Sequence, residues 1–510
     1  MIPISKDRIL ILDGAMGTVI QRYGLKEDDY RTGPFKNCQK ELRGNNECLN
    51  LTRPDIIKSI HLEYLEAGAD IIETNTFSAN RISQTEYGCE DMAATMAYEG
   101  ARLAREAADC YMEDTGRKIW VAGSIGPTSK SLSLSPDASD PAFRPYGFDH
   151  MLEAYREQAE ALLKGGADLL LIETCFDALN VKAALAGIQD IVRERLVTTP
   201  APSQPGWAPS PSRGWQNAGS IIQPLPDGTK IPVMISVSVG DKSGRTLTGQ
   251  TLEAFYTSIR HYPIISFGLN CSLGAEELMP LVEDMDKWCR CSISCYPNAG
   301  LPNEMGGYDQ GPEEMAAAVK VMADKGLLNI AGGCCGTTPE HIKAIAASLK
   351  ESAPRPSAGQ EGYGTCGPSL TVSGLEAVTI DTRKNNFTNI GERTNVAGSR
   401  KFARLISEGK YDEALDIAAR QIEDGASVID INMDDAMLDS AMEMERFVRY
   451  VSNDPSVSKA ALMIDSSHWD TILAGLKNAQ GKCIVNSISL KDGPDEFIRK
   501  ARVIKSLGAS

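Results

Sequence analysis

Gly166-Ala167-Asp168-Leu169-Leu170-Leu171-Ile172-Glu173-Thr174 holds the pattern that decides the fold. Glycine suits the left-handed cap at the end of a preceding helix. The apolar run after it lacks polar alternation, the mark of a parallel strand buried on both faces. An acid then emerges where the strand ends. The same order stands at Gly68-Ala69-Asp70 before Ile71-Ile72-Glu73-Thr74, and at Gly425-Ala426-Ser427 before Val428-Ile429-Asp430-Ile431-Asn432. Barrels of alternating strands and helices place their chemistry at such strand ends.

Outward from that stretch, the first ~350 residues repeat an apolar run followed by a longer amphipathic segment. The runs are Ile9–Asp13, Ala69–Thr74, Trp120–Ser124, Asp168–Glu173, Val233–Val239, Ile264–Asn270, Ser292–Pro297 and Leu327–Ala331. Eight strands alternating with helices predict an α/β fold, an N-terminal (β/α)8 TIM barrel over residues 1–350. A Pro- and Ser-rich stretch over about 198–229 reads as an insertion before the fifth strand. Residues 351–376 read as an interdomain linker.

A second series fills 377–510. Its expected strands are Thr388–Gly391, Val428–Asn432, Ala461–Asp465 and Cys483–Ser487, and its last helix Pro494–Ser506. Leu507-Gly508-Ala509-Ser510 repeats the junction pattern, so a fifth strand is expected to begin there. The second (β/α) barrel reads as truncated, with about four of eight units, and half a barrel exposes a strand edge.

The 510 residues suit two large domains, and 42% hydrophobic with 24% charged residues is a globular composition. No apolar stretch is long enough to span a bilayer, and no secretory signal opens the chain. A formal charge of −16 argues against nucleic acid or an anionic membrane as partner. Thirteen cysteines in no paired arrangement point to free thiols in a reducing cytoplasm, most of them small core residues.

Three cysteines stand apart. Cys271 follows the sixth expected strand in Gly268-Leu269-Asn270-Cys271-Ser272, and Cys334 and Cys335 follow the eighth in Gly332-Gly333-Cys334-Cys335-Gly336. In a barrel these ends share one rim. Adjacent cysteines pair with each other only under strain, so shared metal ligation suits them better. Three thiolates form a zinc site with a fourth position open to a substrate. The competing reading is three buried cysteines that bind nothing. Cys289, Cys291 and Cys295 lie before or inside the seventh strand and read as ordinary packing.

Read together, Asp13-Gly14-Ala15-Met16-Gly17-Thr18, Glu73-Thr74-Asn75-Thr76-Phe77, Ile172-Glu173-Thr174, Gly268–Cys271 and Gly332–Gly336 resemble the homocysteine-binding domain of zinc-dependent homocysteine methyltransferases. Asn389–Ser399, Asp430–Asp434, Ile464–Ser467 and Val485–Ile488 resemble the opening strands of a pterin-binding barrel. That domain order is that of the family of cobalamin-dependent methionine synthases.

The resemblance implies a set of roles. Zinc would be held by Cys271, Cys334 and Cys335, and homocysteine would enter the open position through sulfur. Its amino and carboxylate groups would lie near Asp13, Gly14, Ala15, Thr18 and Glu173, with Asn75 there or only orienting the loop. Asp465 and Asn486 would bind the pterin of 5-methyltetrahydrofolate, with Glu392, Asn395, Asp430 and Asn432 as further candidates. His468 reads as a helix N-terminal residue rather than a base. The implied reaction moves a methyl group from the folate, through a cobalamin carrier, to homocysteine, giving methionine and tetrahydrofolate.

Two departures qualify this. No Asp-x-His-x-x-Gly cobalamin-ligating segment occurs, so the cobalamin module, normally on the same chain, is missing from this sequence. Half the pterin barrel is missing too, so weak folate binding or none is expected. The alternatives are a cobalamin-independent homocysteine methyltransferase with a sulfonium or betaine donor, which needs no pterin site, and a non-catalytic zinc-binding fragment.

Overall fold

The computed structural model describes residues 7–198, 231–303, 307–356, 369–381, 383–384 and 387–510. The insertion read over 198–229 lies outside them except for its first residue. The eight expected strands are present: β1 (Leu10–Ile11), β2 (Ile71–Glu73), β3 (Trp120–Ile125), β4 (Leu169–Cys175), β5 (Val233–Val237), β6 (Ser266–Asn270), β7 (Ser292–Tyr296) and β8 (Ile330–Ala331). They are parallel, in the order β1-β8-β7-β6-β5-β4-β3-β2. A bridge between Leu12 and Ile71 closes the ring, with Asp13 N–H donating to Ile71 O at 3.0 Å and Asp70 N–H to Ile11 O at 2.7 Å.

Alternation along each strand sorts the apolar residues. Leu10, Leu12, Ile71, Ala122, Leu169, Leu171, Met234, Tyr296 and Ile330 fill the barrel interior. Ile9, Ile11, Ile72, Val121, Leu170 and Ile235 point outward into the larger core beneath the helices. The junction glycines behave as read: Gly68, Gly166 and Gly425 take φ of 109°, 106° and 98°. The acid after two of them ties neighbouring strands together. Ile11 N–H donates to Asp70 Oδ2 at 3.0 Å, and Val121 N–H to Asp168 Oδ2 at 2.8 Å.

The described end of the stretch read as a linker over 351–376 holds regular structure. β9 (Ser369–Ser373) pairs antiparallel with β10 (Ala377–Asp381). Leu370, Val372, Val378 and Ile380 turn one face of this hairpin onto Val428, Ala461, Met463, Ile390 and Ile484, closing the floor of the second sheet. Burial of that apolar face is what fixes the segment.

The second sheet is parallel, in the order β11 (Ile390–Asn395), β12 (Val428–Asn432), β13 (Ala461–Asp465), β14 (Ile484–Asn486). β11 begins and ends later than the expected Thr388–Gly391, and its pairing with β12, from Ile390 to Asn395, runs through an irregularity between Gly391 and Thr394. Ser510 N–H donates to Cys483 O at 2.9 Å and Ser510 O accepts from Val485 N–H at 3.2 Å, so the chain enters a fifth strand position beside β14. The sheet with its helices forms the partial second barrel. It docks on the first barrel: Lys182 Nζ donates to the carbonyls of Ala479 and Gly481, Asn453 Nδ2 to Pro141 O at 2.9 Å, and Gln250 Nε2 to Gly374 O at 3.0 Å. Among the described residues no helix is long and apolar enough to cross a membrane.

Candidate active site

The ends of β6 and β8 bring Cys271, Cys334 and Cys335 together. Their sulfurs all lie within 4.8 Å of one another, and Cys271 and Cys335 stand 3.7 Å apart. Two thiolates on a tetrahedral zinc with bonds of about 2.3 Å stand about 3.8 Å apart, so the trio fits that ion without rearrangement. Among the described residues it is the only His, Cys, Asp or Glu group with this geometry. Hydrogen bonds from the Cys271 and Cys334 thiols hold the Cys335 thiol down to about 3, while Cys334 is raised.

The local backbone explains the convergence. Cys271 and Ser272 take φ of 62° and 61°, an uncommon left-handed pair that turns the chain at the end of β6. A Cβ on Gly333 would stand 2.5 Å from the Thr337 side chain, and one on Gly332 would stand 2.8 Å from Leu12 Cβ. Only glycine lets the end of β8 pass so close to β1.

Asn270 braces the site. Its Nδ2 donates to Thr174 Oγ1 at 2.9 Å and to Cys334 Sγ at 3.7 Å. Its Oδ1 accepts from Ser236 Oγ at 2.7 Å and Thr174 N–H at 3.1 Å. One buried amide thus ties β4, β5 and β6 to a sulfur.

Beside the cysteines lies a group of carboxylates. Asp13 Oδ2 accepts from Glu73 N–H at 3.0 Å, while its buried Oδ1 has no hydrogen-bond partner among the described residues. Glu173 accepts from the Ser124 hydroxyl. Burial, and then the Glu173 charge, push Asp13 well up, and burial brings Glu173 to about 7. Glu73 is raised by burial, Glu173 and Asp13 in that order. The buried Tyr296 hydroxyl also lacks a partner among the described residues. Two buried acids and the half-buried Glu73 thus crowd together, with unmatched polar atoms beside them, a charge arrangement that a cation would relieve. Glu73 and Asn270 join the candidate site although sequence reasoning passed over them; each stands inside a motif it singled out.

The other residues expected near the substrate are partly engaged already. Ala15 N–H donates to Thr337 Oγ1 at 3.1 Å, and Thr18 Oγ1 accepts from Gly336 N–H at 3.1 Å. Gly14 packs so closely that a Cβ would stand 2.7 Å from Thr337 Oγ1. Asn75 Nδ2 donates to Asn46 O at 2.7 Å and Asn50 Oδ1 at 2.9 Å. Those bonds orient a loop.

On the second sheet, strand register aligns a polar row. Asn395 pairs with Asn432, Asn432 with Asp465, and Asp465 with Asn486. Asp465 Oδ2 accepts from Asn432 Nδ2 at 3.0 Å and Asn395 Nδ2 at 3.4 Å. Asp430 accepts from Asn395 Nδ2 at 3.2 Å and is pushed up to about 6 by burial and the Asp465 charge. Glu392 is exposed, and its charge acts on both aspartates. Asp434, not foreseen, holds the loop after β13 by accepting from Ser466 Oγ and from Ser467 N–H and Oγ at 2.6–2.8 Å. His468 takes the N-cap position of the helix Trp469–Leu476, with no hydrogen bond from its side chain to the helix backbone.

A closed barrel with a three-thiol rim site, docked to a partial barrel with a polar strand-end row, defines a two-barrel α/β protein with its candidate chemistry at the strand ends. The sequence model of homocysteine S-methyltransferases matches residues 10–349, and that of pterin binding enzymes matches residues 391–510. The chain belongs to the homocysteine S-methyltransferase family and carries a pterin-binding domain after it. Among solved structures it is similar to the homocysteine methyltransferase MmuM of Escherichia coli. The oxidized form is 20% identical with a TM-score of 0.47, over 66% of this chain and 95% of that one. The metallated form is 22% identical with a TM-score of 0.45, over 67% and 96%.

Proposed function

We propose that the chain binds homocysteine as a thiolate and presents it for methylation, in the manner of a cobalamin-dependent methionine synthase. The observation that carries this reading is the sulfur trio, set to tetrahedral zinc spacing beside the buried acids. Residues 1–350 would be the homocysteine half. The pterin half would begin at the hairpin and include 377–510.

Cys271, Cys334 and Cys335 would hold zinc, which when bound lowers the pKa of a substrate thiol in the fourth position. Asp13 and Glu173 would accept hydrogen bonds from the substrate ammonium, whose charge relieves their mutual repulsion. Backbone N–H groups of the Asp13–Thr18 loop would face its carboxylate. Asn270 would keep the Cys334 sulfur aimed. In the second domain, Asp465 would accept from the 2-amino and N3–H edge of the pterin, and Asn486 would hydrogen-bond near N5, where the methyl group leaves. Asn395, Asn432, Asp430 and Glu392 would position them. The five histidines include none in an Asp-x-His-x-x-Gly context, so the cobalamin carrier would be supplied from outside these residues.

The test is to incubate the zinc-loaded chain with homocysteine and free methylcobalamin and to measure methionine. Methionine that disappears in Cys271→Ala supports the reading. Folded, zinc-replete protein without turnover defeats it. A parallel arm with a sulfonium donor in place of methylcobalamin identifies the cobalamin-independent alternative.

A further inference from the structure

A second group of thiols lies away from the zinc-type trio. Cys38 sits in the loop between the short turns Gly33–Phe35 and Asn46–Cys48 that precede the helix Pro54–Glu66, and Cys89 in the loop after the short helix Arg81–Gln84. Their sulfurs are 3.7 Å apart, and both side chains are oriented by Tyr87 O, which accepts from Cys38 at 3.2 Å and from Cys89 at 3.6 Å. Cys48 is buried next to Cys89. The trio Cys38, Cys48 and Cys89 does not reach metal-binding spacing. A contact pair of sulfurs needs only a small approach to reach the ~2.05 Å of a disulfide.

The two loops already grip each other. Lys40 Nζ donates to Thr85 O at 2.7 Å, Asn45 and Gln84 exchange amide hydrogen bonds at 2.7 and 3.1 Å, and Ser78 N–H donates to Glu47 Oε1 at 2.7 Å. The inner side of the same loop holds Asn75 at the end of β2 through Asn46 and Asn50. A link between Cys38 and Cys89 would therefore brace the wall of the barrel mouth.

We propose that Cys38 and Cys89 are a redox-active dithiol that closes to a disulfide with a small-molecule disulfide as oxidant. In that exchange the S–S bond of the oxidant breaks and the Cys38–Cys89 bond forms. The two thiol protons leave on the two small thiols released, so two electrons pass from protein to oxidant. Cys38 is half-buried and Cys89 is buried, so the reagent meets Cys38 first and Cys89 displaces it. Burial pushes the Cys89 thiol up to about 12, which makes closure slow at neutral pH.

The experiment treats the zinc-loaded chain with glutathione disulfide, blocks remaining thiols, and maps tryptic peptides without reduction. Cleavage after Lys40 and Arg43 separates Cys38 from Cys48, and cleavage after Arg81 and Arg102 places Cys89 in a third peptide. The expected product links the Cys38 and Cys89 peptides, is absent in Cys38→Ser, and raises the unfolding midpoint by several degrees. Oxidised Cys89→Ala shows no such rise. The proposal is overturned if Cys38 stops at the mixed disulfide with glutathione while Cys89 stays open to alkylation. It is equally overturned if Cys48 rather than Cys38 joins Cys89. None of these readouts depends on methyl transfer.

Discussion

The sulfurs of Cys271 and Cys335 stand 3.7 Å apart across 64 residues of chain. Tetrahedral zinc requires about that separation. Replacing one member leaves two thiolates, too few for a closed three-sulfur set. Cys335→Ser is expected to lose bound zinc on dialysis against a chelator that leaves the parent loaded, with an unchanged circular dichroism spectrum. Metal analysis of the two proteins checks it.

Asn270 tests the support around that site. Its amide joins Cys334 Sγ to Thr174 and Ser236. Outer partners of metal ligands typically contribute ~10–100-fold in affinity. Asn270→Ala is expected to weaken zinc binding within that range, read by competition with a chromophoric chelator. An unchanged affinity would remove Asn270 from the site.

Asp13 and Glu173 are expected to act on the substrate ammonium. A hydrogen bond to a charged group contributes ~1.5–3 kcal/mol, or roughly 10–150-fold in affinity. Glu173→Gln should weaken homocysteine binding to the zinc-loaded chain by that factor. It should weaken binding of an analogue with hydroxyl in place of the amino group much less. Calorimetric titration of both ligands separates charge recognition from a general loss of structure.

Asp465 should outrank Glu392 in the second domain. Asp465 joins the aligned row and accepts from two amides, whereas Glu392 is exposed. Methyltetrahydrofolate is expected to bind the chain weakly. Asp465→Asn should lower that affinity by a further ~10-fold, the cost of about one charged hydrogen bond. Glu392→Gln should change it by less than about threefold, as for an exposed charge. Titration of the three proteins with the folate ranks the two residues.

Lys182 supplies a pH dependence. Burial lowers it from 10.5 to about 8 in the folded chain. Between those two pH values the unfolded chain holds the proton and the folded chain does not, so stability rises with pH in this window. Lys182→Met lacks this titration. The stability of the parent relative to Lys182→Met should climb from about pH 8 to about 10.5, by no more than about 3.5 kcal/mol. Denaturant unfolding at several pH values checks the slope, and a flat difference would show that Lys182 is not desolvated.

Much of the fold is legible because local residues encode it. Val428–Asn432 and Ala461–Asp465 form strands over the residues their apolar runs mark. β1 and β8 are shorter than their runs, because each pairs over only two residues before the chain turns into the rim. The hairpin 369–381 escapes a local reading. Its Leu370-Thr371-Val372 and Val378-Thr379-Ile380 alternate as strands do, yet the flanking Pro, Gly and Ser residues mask that signal.

The residues able to do chemistry stand out in the amino-acid order alone: the thiols at two strand ends, the acids after the apolar runs, and the amides of the pterin-like motifs. They do so because strand, cap and turn preferences act over a few residues. Which of them meet is settled by the folded chain. Closure at Leu12 and Ile71 places Glu73 against Asp13. Parallel register sets Asn395, Asn432, Asp465 and Asn486 in one row. Packing of two loops brings Cys38 to Cys89. These are contacts between distant parts of the chain, set by barrel closure and strand register rather than by any local run of residues.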